Sequence, residues 1–353
     1  MLSAPRTGRR RRLWLAASMV PLLLLAGSCT RSGAPSSHAS AAHASGQAAL
    51  PSFAPFTSKL RVPGFTGSCP ARTAPSPSGR AVVIPLRILT PSAVISQIFA
   101  GVCLNGHGPY PFIVDSGSRS TIVDVALARR LGLISASAAS GMHACGGTAQ
   151  SARVRLSAGP FVFGQDRQVL VTGLASPSAP LMGILGATEL SSFGIDRIDY
   201  QARTLTVPAP VASGAAPASL SAGTAHRLRL RPSGDFQLMP VAAGNAHGEL
   251  LLDTGAQGTA FTPQFVQQAQ LAKSSSITTR TYAGTGCTRP VSYYTARGWS
   301  VGGFTLAPQT IGSVPDFLVA DGSLGSGTLQ RYSPVVIDYR NHELLLGPFR
   351  PGV

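Results

Sequence analysis

The stretch GELLLDTGAQGTAF, residues 248 to 261, runs three leucines straight into an acid, a hydroxyl residue and a glycine. A carboxylate at the end of an apolar strand is costly to bury unless something needs it there. Asp253 has a twin. The segment PFIVDSGSRSTIVDVALARRLGL (111 to 133) aligns without a gap with ELLLDTGAQGTAFTPQFVQQAQL (249 to 271): an apolar strand, Asp-Ser/Thr-Gly, a polar turn, then a short helix. Asp124 is placed to cap the first helix, with Gly132 closing it, while Thr262-Pro263 supplies a cap and a first-turn proline in the second.

The register continues downstream. Gly186 of GILGATEL answers Gly325 of GSLGSGTL, and Asp199-Tyr200 answers Asp338-Tyr339, each pair leading into a closing apolar strand, TLTV or ELLLG. Four landmarks thus recur at a period of 138 to 139 residues. A repeat of that size means duplicated domains rather than a solenoid. The chain divides into an N-terminal lobe over 80–208, an Ala/Ser/Pro-rich linker over 209–225 and a C-terminal lobe over 226–353. With Gly 39 and Pro 28 among 353 residues, turns are frequent and the class expected is mainly β.

The formal net charge is +16, carried almost wholly by arginine, with Lys59 and Lys273 the two lysines. Five of those arginines, Arg6 and Arg9 to Arg12, precede the apolar run LWLAASMVPLLLLAG, and less than half of the excess belongs to residues beyond 79. No cluster of basic residues interleaved with aromatics occurs there, which argues against a nucleic-acid partner. The first 28 residues read as an export signal: arginines, a short apolar stretch, then small residues. The continuation LAGSCT resembles a bacterial lipoprotein signal, which implies that Cys29 is lipidated and becomes the mature N-terminus. Residues 29–79, rich in Ala, Ser, Gly and Pro, read as a flexible tether, with Lys59 to Phe65 and Cys69 placed to dock on the body. The expected location is outside the cytoplasm, at the cell envelope. Cys69, Cys103, Cys145 and Cys287 remain, and an exported chain with four cysteines has three possible disulfide pairings.

Two acidic turns at matching positions of a tandem repeat face each other if a pseudo-two-fold axis relates the lobes. Carboxyls brought that close share one proton, so one member can accept a proton from water while the other hydrogen-bonds a carbonyl. At this point the sequence resembles the retropepsin-like aspartic proteases. The resemblance rests on Asp115-Ser116-Gly117, Asp253-Thr254-Gly255, the turns Ile184-Leu185-Gly186 and Ser323-Leu324-Gly325, and the Ile-Asp-Tyr ends. It implies two tandem acid-protease β-barrel lobes, each with a short helix. It also implies that Asp115 and Asp253 are catalytic, that Ser116 and Thr254 lock the two turns through hydroxyl hydrogen bonds, and that Gly117 and Gly255 let the backbone turn.

The resemblance further implies a flap hairpin between each catalytic turn and its apolar-Gly turn. The candidates are GMHACGGTAQ (141 to 150), with His143, Cys145 and Gly146, and YAGTGCTRPV (282 to 291), with Tyr282, Gly284 and Cys287. If the flap tips meet, Cys145 pairs with Cys287 and Cys69 with Cys103. Three departures from the family pattern stand out: Ser323 replaces an apolar residue, Gln270-Leu271-Ala272 lacks the helix-closing glycine, and the first flap has no tyrosine, leaving Tyr282 as a substitute.

Rival patterns are weaker. GWSVG (298 to 302) matches a serine-nucleophile elbow, which needs a strand before and a helix after, whereas SYYTARGWSVGGFTLAP reads as two strands around glycines. His143 and Cys145 alone do not make a metal site. The expectation is an aspartic endopeptidase without metal or cofactor, acting on peptide or protein, monomeric because its lobes pair within one chain, and tethered to a membrane through Cys29. The alternative is a non-catalytic surface peptide-binding lipoprotein on the same fold.

Overall fold

A computed structural model of the chain describes residues 64–70, 81–134, 143–144, 147–164, 166–174, 181–209, 220–283, 287–315 and 319–351. The segments expected to form an export signal, the lipidation site at Cys29 and a tether, apart from residues 64–70, lie outside these residues, as does most of the expected linker. Among them, no helix is long and apolar enough to cross a membrane.

The molecule is mainly β, as the turn-rich composition dictates. Strand Val82–Ser92 opens with alternation, Val82, Ile84 and Leu86 buried between exposed Val83 and Pro85. Such a period of two gives one face to the core and one to water. By contrast Ile95–Leu104 is buried along its whole length, as a strand covered on both faces must be.

The two halves repeat one topology. In the first, His107–Val114 leads into Asp115 and pairs in parallel with Gly183–Leu185. The short strand Ile122–Asp124 returns on the other side of Gly183–Leu185, antiparallel to it, and pairs in parallel with Arg167–Thr172. In the second, Ala246–Asp253 pairs in parallel with Gly322–Gly325, and Ala260–Phe261 pairs antiparallel with that strand and parallel with Gln309–Ser313. Each acidic turn is therefore the crossover between two strands that flank a third. This is why the apolar-Gly segment recurs: a side chain on Gly186 would strike the Ser120 carbonyl, and one on Gly325 the Gly258 carbonyl.

Behind the turns the lobes share a sheet with the order His226–Arg229, Glu343–Leu346, Val335–Asp338, Ile195–Asp199, Thr204–Val207, Val82–Ser92. Arg197 lies opposite Val336, its own counterpart in the repeat, and Asp196 and Ile198 lie opposite Ile337 and Val335. A strand pair that maps each half onto the other about one residue pair defines a pseudo-two-fold axis through Arg197 and Val336.

The helices form where their caps predict. Asp124 accepts from Ala126 N and Leu127 N at the head of Val125–Arg130, and Thr262 accepts from Phe265 N at the head of Pro263–Gln268. Gly132 ends the first helix at φ 65°, and Gln270, which holds the equivalent place, takes φ 51° without being glycine. Cys69 is bonded to Cys103 across a Cα separation of 5.9 Å, fastening residues 64–70 to strand Ile95–Leu104. Phe65 packs there against the cluster of Phe99, Ile113, Ile122, Leu174 and Ile184. The expected Cys145–Cys287 bond falls outside the described residues. Ser300 of GWSVG sits in strand Trp299–Val301, paired with Ala242 and Thr305, and the chain then enters a turn and a second strand, Phe304–Thr305, rather than a helix.

Candidate active site

The two acidic turns meet on the axis and grip each other. Ser116 Oγ donates to Leu252 O at 2.7 Å and accepts from Thr254 N at 3.1 Å, while Thr254 Oγ1 donates to Val114 O at 2.8 Å and accepts from Ser116 N at 3.0 Å. Each hydroxyl thus closes a ring with the opposite lobe. Both are buried, Ser116 at 2% exposure and Thr254 at 0%, so four polar backbone groups that water cannot reach are paired here.

This grip sets the carboxyls face to face. A side chain on Gly117 would lie 2.5 Å from Asp253 Cγ, and one on Gly255 would collide with the Asp115 carboxyl. Each acid is seated on the glycine of the other turn, which is the spatial reason both turns need glycine. Asp115 Oδ1 accepts from Gly117 N at 2.9 Å and Ser118 N at 3.0 Å, and Asp253 Oδ1 accepts from Ala256 N at 2.8 Å.

Burial raises both carboxyls from the ordinary aspartate value, Asp115 well above it. Asp115 is raised further, because a second charge would face Asp253. On Asp253 the amides of Ala256 and Gly255, a hydrogen bond from Asp115 and the hydroxyl of Ser323 act in the opposite direction. Two carboxyls in contact at a buried site hold one proton between them, and such a pair contains an acid and a base together.

A second layer supports the turns. Thr121 Oγ1 accepts from Gly186 N at 3.0 Å and donates to Glu189, and Thr259 Oγ1 accepts from Gly325 N at 3.2 Å and pairs with Thr328 Oγ1 at 2.6 Å. Thr254 O accepts from Ser326 Oγ at 2.7 Å, which in turn meets the Tyr200 hydroxyl at 3.0 Å. Gln97 of the first lobe donates to Gly255 O at 2.8 Å in the second. Tyr200 was visible in the sequence as the twin of Tyr339, but Thr121, Thr259, Gln97 and Ser326 were not singled out there. Thr121 and Thr259 carried a signal, since they stand at the same place in the two copies; Gln97 and Ser326 have no repeated partner of the same kind.

The structure brings Asp115, Ser116 and Gly117 together with Asp253, Thr254 and Gly255. The flap candidates fall in two separate hairpins. His143 lies in strand His143–Ala144, paired with Gly147–Thr148, and Tyr282 and Cys287 lie in the hairpin of Ala272–Ala283 and Cys287–Ala296. Cys145, Gly146 and Gly284 lie outside the described residues. Among the described residues no group of three or more His, Cys, Asp or Glu is placed to hold a metal ion.

The sequence model of a family described as aspartyl protease matches residues 100–188 and 239–347, one match per lobe. Among solved structures, that of basic 7S globulin from soybean is similar over 76% of this chain and 94% of its own, at 12% identity and a TM-score of 0.43. No curated protein matches the sequence.

Proposed function

Because the chain belongs to the aspartyl protease family, we propose that it is an aspartic endopeptidase whose catalytic residues are Asp115 and Asp253. The observation that carries this reading is the seating of each acid on the glycine of the opposite turn, which makes one shared-proton pair out of two lobes. The ionised carboxyl takes a proton from a water held between the acids, and that water attacks the scissile carbonyl. The protonated carboxyl donates to the carbonyl oxygen as charge develops on it, then a carboxyl proton passes to the departing amide nitrogen. No metal is needed for this sequence of transfers.

Activity requires the singly protonated pair, so the rate rises as the first proton leaves and falls as the second is lost. Both carboxyls are raised by burial, which places the falling limb above the ordinary carboxylate range and the working range at acidic to mildly acidic pH. The signal-like first 28 residues and the LAGSC sequence support an exported protein, tethered at the cell envelope by lipid on Cys29, with residues 29–79 as spacer. Its partner is a peptide or unfolded protein chain lying in the cleft between the lobes.

The test is cleavage of an unfolded protein across pH by the wild type, Asp115→Asn and Asp253→Asn. The expected result is acid-range cleavage by the wild type and at least a hundredfold loss in each variant, since neither acid alone supplies both roles. Cleavage that persists in both variants would reject the mechanism, and a wild type that binds the substrate without cutting it would favour a peptide-binding role.

A further inference from the structure

The two acids meet on an axis of pseudo-symmetry, yet the surfaces that carry them are not alike. On the first lobe, the residues abreast of each other on the face leading to Asp115 are Ile113, Ile184, Ile122 and Leu170, read across paired strands. The matching row on the second lobe is Leu251, Ser323, Ala260 and Gly312. Ile184 packs in an apolar cluster with Phe99, Ile113, Ile122 and Leu174. Its counterpart, Ser323, is 1% exposed. Because Leu251 and Asp253 project to one face of their strand and Ser323 is abreast of Leu251, the serine stands diagonally beside Asp253, within side-chain reach.

Resting on the reading of the pair as an acid–base dyad, we propose that Ser323 is its positioning residue: its hydroxyl donates to Asp253, holds that acid as the carboxylate, and leaves the shared proton on Asp115. The amide donors do not distinguish the two sides, because Asp115 receives Gly117 N and Ser118 N while Asp253 receives Ala256 N and Gly255 N. The hydroxyl that follows Asp115 in its own turn does not reach it: Ser118 Oγ donates to Ser120 O at 3.0 Å. Among the described residues, a side-chain hydroxyl, that of Ser323, acts on Asp253, and none acts on Asp115. The apolar row on the first lobe acts in the same sense, since it disfavours the charged form of Asp115.

Among the described residues, the titratable group facing Asp253 from the opposing turn is Asp115. Gln97, from strand Ile95–Leu104, is neutral and donates to Gly255 O. Arg119, on the Asp115 turn, pairs with Asp235 at 3.4 Å, and Asp321, at the foot of the Ser323 strand, accepts from Glu249 N. The proton is thus placed by a serine that the repeat does not share. Asp253 becomes the base that takes the proton from water, and Asp115 the acid that meets the carbonyl oxygen.

The test follows each carboxyl by ¹³C NMR in aspartate-labelled protein, with Asp253→Asn identifying the signals, in the wild type, Ser323→Ala and Ser323→Thr. Asp253 is expected to ionise before Asp115 in the wild type. In Ser323→Ala its midpoint is expected to rise by about one pH unit, the effect of one hydrogen bond to a charged group; in Ser323→Thr it is expected to stay. In peptide cleavage the acid limb of kcat/KM moves by the same amount and the alkaline limb stays, because Asp253 is already ionised on both sides of the second step. A merely structural serine would lower rate and stability together without moving one limb. Asp115 ionising first, or Ser323→Ala leaving Asp253 unmoved, would overturn the assignment; if Ser323→Ala does not fold, Ser323→Cys, which replaces the hydroxyl by a weaker donor of similar size, takes its place and is expected to raise the Asp253 midpoint in the same direction. If the titration behaves as expected while no peptide is cut at any pH, the peptidase reading fails and the proton assignment stands.

Discussion

Replacing Thr254 by valine tests whether the crossed hydroxyl bonds hold the two lobes in catalytic register. Valine keeps the branched shape but removes Oγ1, which accepts from Ser116 N at 3.0 Å and donates to Val114 O at 2.8 Å. Val114, Ser116 and Thr254 are all buried, so neither orphaned backbone group can turn to water. An unpaired buried polar group costs about 1–3 kcal/mol, and two, with some relaxation, cost about 3 kcal/mol. Against a total stability of about 5–15 kcal/mol, the variant should still fold but melt at markedly lower denaturant. Urea unfolding at mildly acidic pH, followed through the fluorescence of the fully buried Trp299, reads this directly. Thr254→Ser keeps the hydroxyl and should stay within about 1 kcal/mol of wild type. Because the same bonds fix the carboxyls to a fraction of an ångström, kcat/KM for Thr254→Val should fall about a hundredfold. Ser116→Ala should be non-additive with it, since both hydroxyls belong to one network. A Thr254→Val protein within about 0.5 kcal/mol of wild type and equally active would refute the role of the grip.

Gln270 occupies the left-handed position at φ 51° that Gly132 fills in the first lobe, so Gln270→Gly should raise stability by about 0.5–1 kcal/mol, measured as an increase in melting temperature. Asp196 is 1% exposed, with Oδ2 accepting from the Tyr339 hydroxyl at 3.2 Å and Oδ1 unpartnered, and burial holds it well above the usual range. Its folded form binds the proton more tightly than the unfolded chain, so this contribution is present at low pH and is lost as pH rises through the folded value. Asp196→Asn should therefore match wild type in acid and exceed it by about 1–3 kcal/mol at neutral pH, read from denaturation at the two pH values. Removing the Cys69–Cys103 bond, which closes a separation of 34 residues, by the double change to serine should cost about 3–4 kcal/mol, checked by urea unfolding of the variant against the oxidised protein.

The parts legible in the sequence were those the duplication wrote twice. Asp115 and Asp253, their hydroxyl and glycine neighbours, and Gly186 and Gly325 announced themselves by keeping register, and local chemistry marked the caps at Asp124 and Thr262. The shared sheet was not legible. The repeated Ile-Asp-Tyr ends mark Ile195–Asp199 and Val335–Asp338 as equivalent segments, but which strand pairs with which is a long-range choice that no local pattern encodes. Features present in one copy only were equally hidden. Val335 holds the repeat position of Asp196, and Ala187 holds that of Ser326, so the bond from Tyr200 to Ser326 is not repeated at Tyr339. Ser323 was visible as a departure from an apolar pattern; what the departure does depends on its place diagonal to Asp253, which only the strand register supplies. Gln270 shows the converse: the missing glycine was plain, yet the backbone takes the same turn, closed in both copies by the same bonds, Leu133 N to Ala128 O and Leu271 N to Val266 O.

The central claim is that Asp115 and Asp253 form one unit holding one proton. A potentiometric difference titration between the folded wild type and the folded Asp115→Asn/Asp253→Asn double variant counts that proton directly. The wild type should carry about two more protons than the variant in strong acid, pass to a plateau of about one across the mildly acidic range, and reach zero only above the ordinary carboxylate range. A difference that falls from two to zero in a single step at ordinary carboxylate pH would mean that the acids titrate independently, and would contradict the account.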